Sequence, residues 1–138
     1  MPKDEGFSLI EVLVVILLIG ILAALALPAF LGQRSKGQDT DAKSNARNLV
    51  SHLEAFHASE RTYAPAEAKD SDEIKKSGLT LGDGPGEVDI TEGDEDTYTI
   101  VATSHSDGTF TVAKDGDGDV TRTCSEPGEG GCSDDGDW

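Results

Sequence analysis

Acidic residues at unusual positions are the first candidates for chemistry in this 138-residue chain. Glu11 stands directly before Val12–Leu31, a run without a single charged side chain. A carboxylate at the edge of an apolar helix is costly to place in lipid, so its presence indicates a functional role. The simpler alternative is that Glu11 only marks the membrane interface at which the apolar run begins.

A second acidic pattern lies near the carboxyl end. Asp115, Asp117 and Asp119 alternate with glycines, and Glu126 is the twelfth residue counted from Asp115, as at the start and end of a calcium-binding loop. Against this, Val120 stands where an EF-hand loop needs glycine, and no helices are predicted on either side. The alternative is a solvated acidic turn. Calcium at these four carboxylates is therefore a hypothesis, and no cofactor is required.

Other patterns argue against catalysis and against several binding classes. The run Ser104-His105-Ser106-Asp107 contains the residue types of a catalytic triad, but adjacent residues point in different directions and cannot converge. The three histidines and two cysteines form no Cys/His cluster, which argues against a structural zinc finger. A net charge of −16 excludes a broad nucleic-acid-binding surface. We predict that the protein is not an enzyme.

The apolar run predicts a helix of membrane-spanning length. At about 1.5 Å per residue it covers the ~30 Å hydrocarbon core of a bilayer. A removed secretory signal is one interpretation, because Lys3 precedes the run and Ala24-Leu25-Ala26 resembles a small-x-small cleavage site. A permanent anchor is the other.

The remaining sequence predicts a second helical segment, a surface loop from Ala66 to Ser77 with room for a short helix around Asp72 to Lys76, and a sheet. Apolar residues at helical spacing predict an amphipathic helix from about Asp39 to Glu60: Ala46, Leu49, Leu53 and Phe56. From Glu87 the apolar period changes to two, which predicts three strong strands and one weaker strand joined by tight turns. The apolar face of this antiparallel sheet needs the helix as its cover. The fold class is α+β, with a helix packed on a small antiparallel sheet.

The residues from Gly6 to Leu13, Gly-Phe-Ser-Leu-Ile-Glu-Val-Leu, resemble the class III signal of type IV prepilins and type II secretion pseudopilins. In that family a short leader ends in glycine, and a membrane aspartic peptidase cuts after it. The new terminal residue, usually phenylalanine, is N-methylated, and a glutamate follows as the fifth mature residue. Gly6, Phe7 and Glu11 match these positions. Pro28 falls where many pilins carry a helix-bending proline.

The resemblance implies a role in assembly. After cleavage the apolar helix stays with the mature chain, and Glu11 pairs with the ammonium of Phe7 in a neighbouring subunit. The implied partners are further copies in a helical filament, the prepilin peptidase and methylase, the inner-membrane assembly machinery and the membrane itself. The chain would lie in the inner membrane before assembly and in a surface filament afterwards. The predicted segments are a leader (1–6), a filament-core helix (7–32), an amphipathic helix (33–60) and a head (61–138).

The same resemblance bears on Cys124 and Cys132, because many type IV pilins close the end of the head with a disulfide. The intervening Pro and Gly residues allow such a loop, and a disulfide is the normal state outside the cytoplasm. Two free thiols are the alternative. We expect the segment after Cys132 to be a mobile acidic tail, with Trp138 an isolated aromatic.

We therefore predict the structural subunit of a type IV pilus-like filament. Two alternatives stay open. One is a pseudopilin of a type II secretion or competence system, some of which bind calcium near the end of the head. The other is an exported acidic calcium-binding protein released by ordinary signal cleavage.

Overall fold

The computed structural model describes residues 5–138, so part of the predicted leader lies outside the described residues. The chain divides into two compact units with the boundary between Arg34 and Ser35. The predicted α+β class, a long helix followed by a four-stranded antiparallel sheet, is confirmed. The elements in chain order are α1 (Leu9–Glu60), α2 (Pro65–Asp70), α3 (Asp72–Lys76), β1 (Val88–Gly93), β2 (Tyr98–Thr103), β3 (Thr109–Lys114) and β4 (Val120–Cys124).

The first unit consists of the beginning of α1. Leu and Ala, which favour a helix, make up much of Val12–Leu31, and no charge interrupts this run. Pro28 lies inside the helix, where it removes one backbone hydrogen bond. Among residues 5–34, no apolar residue is buried.

The second unit is built on the remaining part of α1. One stripe of this helix is buried, and its members recur at spacings of three and four residues: Asp39, Ala42, Ala46, Leu49, Leu53 and Phe56. This periodicity places them on one face. The stripe packs in one hydrophobic core with the inward residues of the sheet.

The sheet is an antiparallel meander with the order β1-β2-β3-β4. The period-two pattern predicted its inner face, which carries Val88 and Ile90, then Tyr98, Ile100 and Ala102, then Phe110 and Val112. The register pairs Ile90 with Ile100 and Ile100 with Val112. Strand β4 is exposed along its length except for the half-buried Cys124. The turns β1–β2 and β3–β4 therefore lie at one end of the sheet and the turn β2–β3 at the other.

Two features differ from the sequence expectations. Helix α2 occupies a stretch that we expected to be a loop; it starts at Pro65, whose fixed φ suits the first helical position, and it buries Ala68 in the core. The expectation of an isolated Trp138 is also wrong, because its ring packs edge-to-face on Phe110 at 5.9 Å between centroids. A ring with an apolar body and an N–H donor is stabilised by such a half-buried site.

Candidate processing and assembly site

The predicted cleavage site lies in the short segment before α1. Glu5, Gly6, Phe7 and Ser8 precede the first helical residue and are all exposed. Apart from Gly6 and its two chain neighbours, no atom of residues 5–138 lies within 4 Å of the position that a Cβ on Gly6 would occupy. Packing among these residues therefore gives no reason for a glycine at position 6. The segment is open to an external enzyme, although its cleavage and methylation stay predictions.

Glu11 takes part in the start of α1. Its Oε2 atom accepts a hydrogen bond of 2.8 Å from the backbone N–H of Ser8, and the Ser8 carbonyl accepts the N–H of Val12 at 3.3 Å. This is the glutamate half of a capping box, in which a side chain at the third helical position satisfies the N–H of the capping residue. The spacing Ser8-x-x-Glu11 was a sequence signal for it that we did not use. Glu11 thus has a local role, and its role between subunits stays a prediction.

The first unit exposes an uninterrupted apolar surface. Phe7 is 86% exposed and Phe30 is 70% exposed, and every large apolar side chain between them is also exposed. In the described part of the chain, α1 is the one helix whose length and composition fit a membrane span, and its most apolar window is entirely unburied. Soluble monomers rarely expose contiguous apolar patches larger than a few hundred Å². Lipid or other protein chains must cover this surface.

Cys124 and Cys132 form a disulfide with Cα atoms 5.8 Å apart, so the predicted pairing is confirmed. The bond joins the end of β4 to the loop that follows. The bond holds the glycine-rich loop of 125–131 close to the start of the second unit.

Asp39, which the sequence analysis missed, anchors this loop to α1. Its side chain is buried, with only 4% exposed. It accepts a hydrogen bond of 2.7 Å from the N–H of Gly131 and a short one from the hydroxyl of Ser106. Lys43, one turn along α1, donates from Nζ to the carbonyl of the same glycine. Asp39 and Lys43 therefore bind both backbone polar groups of Gly131, its N–H and its carbonyl.

The carboxylate of Asp39 is stabilised in its charged form. Burial raises its pKa, but hydrogen bonds from Ser104, Ser106 and Gly131 and the charge of Lys43 together outweigh burial, so its pKa lies below the ordinary value. The signal in the sequence was a carboxylate on the buried stripe, three residues before Ala42. We had begun the amphipathic helix at Asp39 without placing that residue on its buried face.

The anchor explains two glycines of the loop. Gly130 has a φ of +55°, and a Cβ there would stand 2.1 Å from Oδ2 of Asp39. A Cβ on Gly131 would stand 2.9 Å from the Cβ of Asp39. Any side chain at Gly130 would combine backbone strain with a collision against the carboxylate.

The structure does not bring the predicted calcium ligands together. Asp115 accepts hydrogen bonds from the N–H groups of Asp117 and Asp119, at 3.0 and 2.9 Å, and so closes its own turn. Glu126 instead lines a cavity of about 70 Å³ beside Asp39. Within residues 5–138, no three His, Cys, Asp or Glu side chains are grouped so that they could hold a metal ion. Calcium binding stays a prediction.

Known proteins are similar to this chain both at its start and over a larger part of its length. Residues 1–27 match the prokaryotic N-terminal methylation motif. The chain is 35% identical over 63 residues to the type IV major pilin protein PilA of Myxococcus xanthus (strain DK1622), which is 46% of this chain and 29% of that protein. It is 32% identical over 65 residues to the type II secretion system core protein G of Pectobacterium carotovorum subsp. carotovorum, covering 47% of this chain and 42% of that protein.

A longer match extends into the second unit. The chain is 32% identical over 107 residues to a fimbrial protein of Pseudomonas aeruginosa, and the match covers 75% of this chain and 70% of that protein. The matched length is too great to rest on the apolar helix alone. Together with the motif of residues 1–27, the exposed apolar helix and the helix-on-sheet head, it shows that this chain belongs to the type IV pilin and type II secretion pseudopilin family.

Proposed function

We propose that the protein is the structural subunit of a type IV pilus-like filament that assembles through its N-terminal helix. The exposed apolar surface of residues 7–31 carries this proposal, because nothing else in the described chain covers it. The similarity to a pilin and to fimbrial proteins supports a surface filament. Assembly is a structural activity and involves no catalysis by this chain.

The proposed sequence of events begins at the membrane. A membrane peptidase cuts after Gly6 and a methylase modifies the new amino group of Phe7, while the apolar helix keeps the chain in the inner membrane. The assembly machinery then transfers subunits from lipid into a filament in which the helices cover one another. Apolar side chains leave lipid for other apolar side chains, so packing and polar pairing must specify the arrangement.

Glu11 provides the polar pairing in this proposal. A carboxylate in the apolar filament core is unfavourable unless an opposite charge meets it, and the amino terminus of Phe7 from a neighbouring copy is the nearest cation that the assembly supplies. One pair per subunit would set the axial register of the helices more than it would add stability. Pro28 would provide local flexibility in the same helix by its missing backbone hydrogen bond.

The processing step is tested by determining the amino terminus of the mature chain by mass spectrometry. We expect a chain that begins with N-methylated Phe7, and we expect Gly6→Val to accumulate uncut in the membrane. A mature chain that begins near Leu27 would instead support export by ordinary signal cleavage. Normal maturation of Gly6→Val would contradict the assignment of the processing signal.

The role of Glu11 is tested with two variants, because its side chain also caps α1. Glu11→Gln retains a carbonyl oxygen that can accept the Ser8 N–H but has no charge, whereas Glu11→Ala loses both. If charge pairing sets the register, both variants should insert in the membrane and both should lose filaments. If only helix capping matters, Glu11→Gln should assemble normally, and this result would contradict the pairing.

A pseudopilin is the second candidate, favoured by the similarity to type II secretion core protein G. Electron microscopy of cells at natural expression levels separates the two, since a pilus gives surface fibres and a pseudopilus gives none.

Calcium is our proposal for Asp115, Asp117, Asp119 and Glu126, and melting of the full chain tests it. Calcium should raise the melting temperature more than magnesium at equal concentration, because a flexible oxygen site suits the larger ion. Asp117→Asn should reduce the difference. Equal shifts of the melting temperature by both ions would contradict a calcium site and indicate that these residues form a solvated acidic turn.

A further inference from the structure

Trp138 is held in a defined position on the head. Its indole N–H donates to the backbone carbonyls of Thr123 and Thr111, at 2.9 and 3.3 Å, and Asp137 forms an isolated bridge with Thr123. Together with the edge-to-face contact to Phe110, these contacts fix the ring at β3 and β4 while leaving it partly exposed. A ring that is already ordered loses little entropy when a partner binds to it.

Two arginines from different elements stand over this ring. The guanidinium carbon of Arg47, on α1, lies 5.2 Å from the ring centroid, and that of Arg122, on β4, lies 5.8 Å from it. Both arginines are exposed. Stacking uses the face of a guanidinium and leaves its in-plane N–H donors available for a carboxylate.

Neither arginine forms an ion pair with an acidic residue among residues 5–138. Residues three and four positions from Arg47 on α1 include no acid, and Arg122 has Val120, Cys124 and the opposed Val112 as its neighbours on that face. This is notable in a sequence with 27 acidic residues. Among residues 5–138 the lysine and arginine ion pairs are Lys69–Asp89 and Lys114–Glu54, and His52 forms a hydrogen bond with Glu73.

An apolar residue completes the surface. Val120 is 42% exposed, and it is the one exposed large apolar side chain of residues 35–138. It lies two residues before Arg122, so both side chains are on the same face of β4. We call Arg47, Val120, Arg122 and Trp138 the arginine–tryptophan patch. Trp and Arg are among the residue types enriched at the energetic centres of protein interfaces.

We propose that the arginine–tryptophan patch binds the acidic end of the sheet in a second copy of this chain. That end contains the β1–β2 and β3–β4 turns, whose residues 94–97 and Gly116 line one open groove. Asp94 and Asp115 accept backbone N–H groups within their own turns. Glu95, Asp96, Asp117 and Asp119 are exposed carboxylates on the same two turns and are available to an external cation.

Charge explains why the partner is another copy. This inference rests on the proposed function, in which a filament brings heads of like net charge into contact at high effective concentration. Such heads repel one another unless opposite charges meet at the contact. In the described part of the chain, no carboxylate pairs with the two cations of the patch, and no cation pairs with the exposed carboxylates of the acidic end. One contact between unlike surfaces repeats from copy to copy, as a helical assembly requires.

The test uses the full chain in cells and compares two double variants with the same change in charge. Arg47→Glu with Arg122→Glu should reduce filament yield roughly tenfold, since it sets like charges against the acidic end. Arg61→Glu with Lys76→Glu changes the same number of exposed charges elsewhere on the head and should leave the yield near that of wild type. Adding Asp117→Arg and Asp119→Arg to the first variant should restore filaments.

A photo-crosslinking amino acid at position 120 makes the test independent of fibre formation. We expect capture of a second copy, with the crosslink in residues 94–97 or 115–119, in whole cells. Fibres without this crosslink, or equal losses from both double variants, would overturn the inference and leave the proposed function standing. The crosslink without fibres would support the contact and count against the filament. Capture of a different protein or an anionic polysaccharide in place of a second copy would overturn the assignment of the partner.

Discussion

Two carboxylates of α1 show how differently the two units meet the needs of a charged group. Glu11, in the first unit, is exposed and has one local hydrogen bond, to the N–H of Ser8. Asp39, in the second unit, is buried and receives hydrogen bonds from a turn and a loop that are distant in sequence. Hydrogen bonds within the head thus stabilise the carboxylate of Asp39. Among residues 5–138, the carboxylate of Glu11 has only a local helix-capping contact.

The apolar residues of the two units differ in the same way. The second unit buries its apolar stripe against its own sheet, so it forms its own core. The described part of the first unit, residues 5–34, buries none of its large apolar side chains. Residues of the second unit should therefore be sensitive to substitutions that disturb internal contacts, whereas residues of the first unit should be sensitive only when other molecules cover them.

The largest expected effect comes from a pair of glycines. Gly130→Ala should destabilise the head by about 3 kcal/mol, because its φ of +55° and the nearby Asp39 carboxylate oppose a methyl group. Gly20→Ala, where nothing lies within 4 Å, should leave the melting temperature of the head unchanged. Thermal unfolding of the full chain in detergent measures both. A head that tolerates Gly130→Ala as well as Gly20→Ala would remove the contrast between the units.

Asp39→Ala should cost the head about 2–3 kcal/mol, because it leaves the partly buried Gly131 N–H and the Ser106 hydroxyl without their charged acceptor. The folded pKa of Asp39 is lowered from 3.8, so its contribution is complete above that value and is lost as the pH falls through the folded pKa. Melting temperatures measured from pH 7 down to pH 2 should therefore converge for wild type and Asp39→Asn. Parallel curves over that range would show that Asp39 is not the titrating group.

Replacing both cysteines by serine should lower the stability of the head by about 2–3 kcal/mol on the chain-entropy estimate for a short loop. The first unit contains no cysteine, so insertion of the helix in the membrane should not change. Reduction of the wild type gives the matched measurement by thermal unfolding. If the serine variant melts with the oxidised wild type, Asp39 and Lys43 hold the loop without the bond.

The smallest effects come from two buried tyrosines of the head. Tyr63→Phe should cost about 1–2 kcal/mol, because the Tyr63 hydroxyl donates to Glu54 at 2.8 Å and accepts from Lys114 at 2.7 Å. Tyr98→Phe should be neutral or slightly stabilising, since its buried hydroxyl has no hydrogen-bond partner among the described residues. Chemical denaturation of the two variants compares them directly.

Alkaline pH gives a second test of Tyr98. Burial and the negative charge of Glu54 raise the pKa of Tyr98 from 10.0 to about 12. Between these values the unfolded chain loses a proton that the folded chain keeps, so stability should fall as the pH rises. Tyr98→Phe should show a smaller fall than wild type. If stability falls equally with pH in wild type and in Tyr98→Phe, then loss of the Tyr98 proton does not cause the fall.

Local patterns in the sequence determined most of the architecture. The uncharged run predicted the first helix, the spacing of Ala46, Leu49, Leu53 and Phe56 predicted the covering face, and period-two alternation predicted all four strands in the observed regions. These patterns suffice because helices and strands repeat over a few residues, and each repeat puts its apolar side chains on one face. The motif from Gly6 to Glu11 identified the family for the same reason, since it is contiguous.

Only the tertiary structure decided where Asp39 and Trp138 lie. Asp39 meets Gly131 across 92 positions of sequence, and Trp138 meets Thr111 across 27. Neither contact has a repeating pattern, and each depends on how the sheet, the helix and the disulfide loop come together. A buried carboxylate is stable only when several donors converge on it. That convergence exists in the folded head and in no short stretch of the chain.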